Sequence, residues 1–318
     1  MTTAINVNNL KKIYRIPSIF FWNKSKSIFA LKNISFTCPK QKITCILGPN
    51  GAGKTTIIKI LSNLIIQDNG AIDFSATSSE SNSKSKKIKI GVMTPNERSF
   101  YWRLTGRQNI NFFAELYGIS GKQKKIIVNQ LIEELNLTQD ADKPFRLYST
   151  GMKYKLLIAR SLICNPDILL LDEPTSHIDP IAKENIHQLI NENFCKKRKM
   201  TIIICTHDLS EAQQLADHII LLNHGEVIAQ GSLSDLRKMI NPNIIFQIKF
   251  EKKLSKKCFK DMQVLEIKEN DNTLEFYLEN KLIIPDLINK SVESGGRILW
   301  SKEYNESLLD IFKRLTNR

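Results

Sequence analysis

The chain has 318 residues, 42% of them hydrophobic and 25% charged, a balance that excludes disordered, collagenous and disulfide-scaffold classes and leaves room for one large domain and a small one. No apolar run approaches the ~18 residues needed to cross a bilayer, and the N-terminus lacks the charged-then-apolar pattern of a secretory signal, so a soluble cytosolic protein is expected. A formal net charge of +14 fits nucleic-acid binding, attraction to an anionic membrane, or a lysine-rich solvated surface, and by itself separates none of them.

In chain order, residues 5–14 and 31–38 alternate as strands. Between them Ile16 to Lys24 is turn-rich and aromatic, with Phe20, Phe21 and Trp22; it reads equally as a contact surface or as a hairpin tucked onto the domain. Tyr14 closes the first strand, and alone it reads as packing. Ile43 to Leu47 is an apolar run broken only by Thr44. It leads into Gly48-Pro49-Asn50-Gly51-Ala52-Gly53-Lys54-Thr55-Thr56 and then a helical pattern with Ile57, Ile58, Ile60, Leu61, Leu64 and Ile65. Strand, glycine-rich turn, then helix is the context that a phosphate-binding loop requires. Glycines let successive backbone N–H groups point inward, and the helix N-terminus adds positive partial charge. Lys54 can then reach β- and γ-phosphates, and the Thr55 hydroxyl can ligate Mg²⁺. A nucleoside triphosphate ligand is therefore expected.

Asp68-Asn69-Gly70 is a turn, Ser75 to Lys87 a Ser/Lys-rich loop, and Ile88 to Met93 a strand. Residues 104–147 are helical in pattern, with Phe112, Phe113, Leu116 and Tyr117 on one face and Val128, Leu131, Ile132 and Leu135 on another. Tyr148 to Lys153 opens a further helix. Ile168 to Leu171 is a buried strand by its unbroken apolar run, and it delivers Asp172 and Glu173 at its C-terminal end, where ligands bind in open α/β sheets. Asp179-Pro180 caps the next helix. Ile202 to Cys205 is another buried strand, ending at Thr206-His207-Asp208, and Asp208 with Glu211 has the spacing of a capping box. A hairpin follows around Asn223 to Glu226. The scattered cysteines, with no C-x-x-C pair, read as reduced thiols.

Asn241-Pro242-Asn243 marks a boundary. Beyond it the pattern runs strand (244–250), helix (255–262), strand (264–268), strand (273–278), helix (285–294), strand (297–301), then a last helix over 307–315. That order predicts a small α+β domain of ferredoxin-like type.

Taken together, these segments resemble the ATP-binding subunit of ABC transporters over roughly the first 240 residues. Gly48 to Thr56 resembles Walker A, and Ile168 to Glu173 resembles Walker B with Glu173 in the catalytic position. Tyr148-Ser149-Thr150-Gly151-Met152 is similar to the ABC signature, Ser176-His177-Ile178-Asp179 to the D-loop, and His207 to the switch histidine. The resemblance implies an α/β P-loop ATPase over residues 1–240, with a helical signature subdomain at about 98–163 and an accessory domain over 241–318. It implies ATP and Mg²⁺ as cofactors. Lys54, Glu173 and His207 would be catalytic, and Thr55 and Asp172 would hold the metal. Tyr14 would stack on adenine, with Gly48 to Thr56, Ser149, Thr150, Gly151 and Asp179 completing the nucleotide set.

Where the family places a Q-loop glutamine, sometimes a glutamate, after the strand, this chain reads Met93-Thr94-Pro95-Asn96-Glu97-Arg98, with Asn96 the first choice for the metal contact and Glu97 the second. Leu104 to Asn109 and Ser307 to Phe312 are similar to export-type (ABC-2) members. The implied partners are a second ATP-binding subunit, identical or related, and separate membrane-spanning permease chains docking near residues 104–118. No nucleic acid is expected, although a soluble ABC-type ATPase acting on nucleic acid or ribosomes is the alternative. The implied location is the cytoplasmic face of a membrane.

Overall fold

A computed structural model describes residues 2–16, 26–74, 88–240, 244–304 and 307–316. The chain divides into two compact units, Met1–Ser232 and Leu233–Arg318. The aromatic stretch at 19–22 and the Ser/Lys-rich loop at 75–87 lie outside the described residues.

The first unit opens with two long strands, β1 (Thr3–Ile16) and β2 (Lys26–Pro39), paired antiparallel. They extend past the alternating runs of 5–14 and 31–38 because register shifts let the ribbon continue where apolar alternation lapses. Next come β3 (Ile43–Leu47), helix α1 (Lys54–Leu61), β4 (Asn69–Asp73), which pairs with β1, and β5 (Ile90–Met93). Three helices follow, α2 (Gly106–Leu116), α3 (Gly121–Glu134) and α4 (Thr150–Leu162). Strand and helix then alternate through β6 (Ile168–Asp172), α5 (Pro180–Gln188), β7 (Thr201–Thr206) and α6 (Leu209–Leu215), and the unit ends in the hairpin of β8 (His218–Asn223) and β9 (Glu226–Gly231).

A six-stranded sheet in the order β5-β6-β7-β3-β8-β9 organises this unit, parallel from β5 to β8. Every residue of β3, β6 and β7 is buried, as central parallel strands covered on both faces must be. Ile57, Ile58, Ile60 and Leu61 of α1 share one core with Ile5, Val7 and Leu10 of β1 and with Leu170, Ile203 and Ile220 of the large sheet. In α1 only Thr55 and Lys59 are exposed, and the breadth of its buried face explains its run of isoleucines. α2 starts at a full capping box between Thr105 and Gln108. Buried Asn109 accepts from Tyr101 N and donates to the carbonyls of Tyr101 and Thr105, pinning the loop before it. α5 continues into a π-helical stretch over Leu189–Lys197, which the apolar spacing did not signal.

In the second unit α7 (Leu233–Ile240) precedes β10 (Ile244–Phe250), β11 (Glu266–Asn270), β12 (Thr273–Leu278), α8 (Ile284–Glu293), β13 (Ile298–Tyr304) and α9 (Leu308–Thr316). The strands form an antiparallel sheet in the order β11-β12-β10-β13. Phe246, Ile248 and Phe250 alternate onto one face and meet Phe276, Phe259 and Leu287. The helix expected over 255–262 is only a 3₁₀ turn, Lys256–Phe259, capped by Ser255. Phe259 anchors that turn in the core, and so short a segment gains too little from propagation to extend. The division falls at 232/233, not at 240/241, because α7 packs on α9.

Candidate nucleotide site

The candidate residues gather at the carboxyl ends of β3, β6 and β7, three neighbours in the sheet. Loop 48–53 leaves β3, Asp172 and Glu173 end β6, and His207 follows β7. Two glycines in the loop are required sterically. A Cβ on Gly48 would sit 2.2 Å from the Leu222 carbonyl oxygen, and one on Gly53, at φ +109°, would sit 2.6 Å from that of Ala30. Gly53 is also the N-cap of α1 and supplies no side-chain cap, so the first N–H groups of the helix are left for an anion.

Lys54 is buried and donates to the carbonyls of Gly48 (2.7 Å) and Pro49 (3.1 Å). Its Nζ also lies 3.6 Å from Glu173 Oε1. The other carboxylate oxygen, Oε2, accepts from Ser176 Oγ at 3.0 Å and meets His207 Nδ1 at 2.7 Å. A carboxylate only accepts, so Nδ1 carries the proton in that pair. Glu173 itself adopts φ +48°, a left-handed conformation that a non-glycine residue keeps only when its surroundings impose it. Here its N–H is fixed to the Cys205 carbonyl at 2.9 Å.

Thr55 Oγ1 donates to Asp172 Oδ2 at 2.9 Å. Asp172 is buried and its Oδ1 has no hydrogen-bond partner. Burial pushes its carboxyl above the ordinary value and the nearby Glu173 adds to this, against the Thr55 hydrogen bond and Lys54. A half-satisfied buried carboxylate beside a threonine hydroxyl is a donor set suited to a hard dication.

Ser149 caps α4, accepting from Met152 N at 3.3 Å, and with Thr150 it is exposed. Gly151 is buried against α5, where an added Cβ would lie 2.9 Å from Ala182 Cβ. Asp179 caps α5 through Ala182 N. Tyr14 is partly exposed near the end of β1, with Lys12 Nζ over its ring. Asn96 is exposed, and among the described residues no hydrogen bond joins it to Thr55 or Asp172. Glu97, the second choice, pairs with Lys153 at 2.9 Å, which commits it to α4.

The capping-box reading of Asp208 and Glu211 is corrected in one half. Asp208 does accept from Ser210 N and Glu211 N, but Glu211 turns inward to Thr175 and His187, and Thr206 Oγ1 takes the Asp208 N–H instead. Sequence reasoning missed Thr175 and His187 as parts of the site, and it placed Ser176 in the D-loop-like stretch without its contact to Glu173. The one signal for them was polar residues lying beside buried apolar positions.

A family model described as ABC transporter matches residues 31–176. The ABC transporter ATP-binding protein NatA of Bacillus subtilis (strain 168) is 32% identical over 238 residues, covering 74% of this chain and 96% of that protein. This chain belongs to the ABC transporter ATP-binding proteins. It is thus an ATP-binding, ATP-hydrolysing transporter subunit of that family. The bacitracin transport ATP-binding protein BcrA of Bacillus licheniformis is 31% identical over 319 residues, 99% of this chain and 98% of BcrA, so the likeness to this ABC protein runs through the second unit as well. Among solved structures, the ATP-binding cassette MJ0796, a dimer in a post-hydrolysis state bound to ADP and Pi, superposes with a TM-score of 0.60 at 24% identity, over 72% of this chain and 98% of that one. The fold is therefore that of an ABC ATPase. Among the described residues no helix is long and apolar enough to cross a membrane.

Proposed function

We propose that this ABC subunit powers export through separate permease chains, hydrolysing ATP held between two ATP-binding subunits. The observation that carries the catalytic reading is the cluster in which one carboxylate, Glu173, meets Lys54, Ser176 and His207. Glu173 accepts the proton of the attacking water, and Ser176 and His207 hold the carboxylate in register. Lys54 and the amides of 48–56 bind the β- and γ-phosphates. Thr55 and Asp172 would hold a Mg²⁺, which supplies neutralisation of charge on the phosphates. Tyr14 provides an exposed aromatic face for adenine.

Ser149, Thr150 and Gly151 form a second helix-start anion site. The dimeric state of the MJ0796 structure supports their acting on the nucleotide of a partner subunit, with Asp179 beside them through α5. The export direction rests on the likeness of Leu104 to Asn109 and of Ser307 to Phe312 to export-type members. Exposed Tyr101 and Trp102, just ahead of α2, with residues 104–118, offer a docking surface for a permease, which would hold the chain at the cytoplasmic face of its membrane.

Glu173→Gln tests this reading. Turnover should fall by about 10² or more while ATP affinity is kept, because only the proton acceptor is lost. Chelating Mg²⁺ should stop wild-type turnover and its return should restore it. Hydrolysis at the wild-type rate in Glu173→Gln would remove Glu173 as the base.

A further inference from the structure

Behind the site lies a buried ionic group that the scheme above does not use. Glu211 on α6 and His187 on α5 are 1% and 2% exposed. Glu211 Oε1 accepts from Thr175 Oγ1 at 2.7 Å and meets His187 Nε2 at 3.1 Å, and the Glu211 N–H donates to Asp208 Oδ1 at 3.2 Å. Thr175 is two residues after Glu173, and Asp208 is the residue after His207. Through its carboxylate and its N–H, Glu211 therefore ties together the two backbone segments that deliver Glu173 and His207.

The far side of the histidine is fixed as well. Gln214 Nε2 donates to Glu184 Oε2 at 2.9 Å, so the Gln214 Oε1 faces His187 Nδ1 at 3.1 Å. Both ring nitrogens then face polar partners. Burial pushes the Glu211 carboxyl up, but the hydrogen bonds from His187 and Thr175 outweigh it and hold the group below its ordinary value. A full buried charge is thus kept where a capping residue would need none. Such a charge persists only when its partners are complete, and here Thr175 belongs to the loop that follows Glu173.

We propose that Glu211, braced by His187, is a positioning residue for ATP hydrolysis: through Thr175 and Asp208 it sets the distance and orientation of Glu173 relative to His207. The inference rests on Glu173 and His207 acting as described above. Its chemistry is that of an anion held in place by hydrogen bonds, and it moves no proton itself. A shift of one loop against the other would separate His207 Nδ1 from Glu173 Oε2, the 2.7 Å contact that keeps the base oriented.

The test uses the full chain with Mg·ATP. Removing Glu211 strands His187 and endangers folding, so the informative variant is Thr175→Val, which deletes one hydroxyl at constant volume. Its kcat should fall by about ten- to a hundredfold, as for a misplacement near 1 Å, with KM for ATP within about twofold. Thr175→Ser should restore the rate, and Thr175→Val should add no further loss in the Glu173→Gln background. Glu211→Gln, checked for folding by near-ultraviolet circular dichroism, should follow Thr175→Val. Wild-type kcat in Thr175→Val beside an inactive Glu173→Gln would overturn the inference alone, as would failure of Thr175→Ser to restore the rate. Turnover retained by Glu173→Gln would overturn both the inference and the reading beneath it.

Discussion

At the scale of single residues, the site spends charge where an apolar core would be cheaper, and the cost is visible in its acid response. Asp208 is partly buried, yet the Lys183 ion pair and the bonds from Ser210 and the Glu211 N–H hold its carboxyl well below the ordinary 3.8. Glu211 likewise lies below its ordinary 4.5. Folded values below unfolded ones mean that both carboxylates stabilise the fold fully above about pH 5, and that this stability is lost as pH falls through 4 and below. The thermal midpoint should therefore hold steady from about pH 7 to 5 and fall steeply toward pH 3.5. Lys183→Met, lacking the partner of Asp208, should lose less over the same interval in a calorimetric scan. An equal loss would mean that the pair contributes nothing. Asp172 moves in the opposite direction, raised by burial, which is why its neutral partner Thr55 and its unpaired oxygen read as a metal position and not as a stabilising pair.

At the scale of elements, the turn between β3 and α1 is the least tolerant part of the unit. Gly53→Ala would place a methyl group against the Ala30 carbonyl and Leu31 Cδ2 at a backbone angle hostile to side chains. It should cost about 1–3 kcal/mol in urea unfolding and weaken ATP binding by moving the N-terminus of α1; wild-type stability and affinity together would refute the steric account. This turn was legible from residue order alone, since its glycines, Lys54 and Thr55 are contiguous. The helix start within Tyr148 to Lys153 and the strand delivering Asp172 and Glu173 were legible for the same reason. The path of Glu211 was not. Its spacing from Asp208 suits a capping box, and only the packing of α5 on α6 brings His187 close enough to turn it inward. The turn at Lys256–Phe259 was also misjudged, because apolar spacing records which residues are buried and not whether a helix extends between them.

At the scale of the whole molecule, the exposed Ser149 and Thr150 give a prediction about assembly. With Mg·ATP, Glu173→Gln should accumulate as a dimer in light scattering, since nucleotide is bound and not consumed. Adding Ser149→Glu should abolish that dimer, by setting a carboxylate against the partner's phosphates, while the single chain keeps its ATP affinity within about twofold, as an exposed substitution should. A dimer that persists would mean that the second nucleotide contact lies elsewhere. The 93–98 segment belongs to this scale too: Glu97 is bound to Lys153, which ties that segment to α4.

By itself the sequence determined the phosphate loop, the acidic strand end, the signature helix start and the family, because each of these is local: a few neighbouring residues fix both the backbone path and the chemistry. Tertiary structure alone decided that Glu173, Ser176 and His207 share one carboxylate, that Asp172 keeps a lone oxygen, and that Glu211 anchors two loops at once. Apart from Ser176, three residues after Glu173, those relations join residues tens of positions apart, and they exist because the parallel order β6-β7-β3 brings three strand ends to one edge.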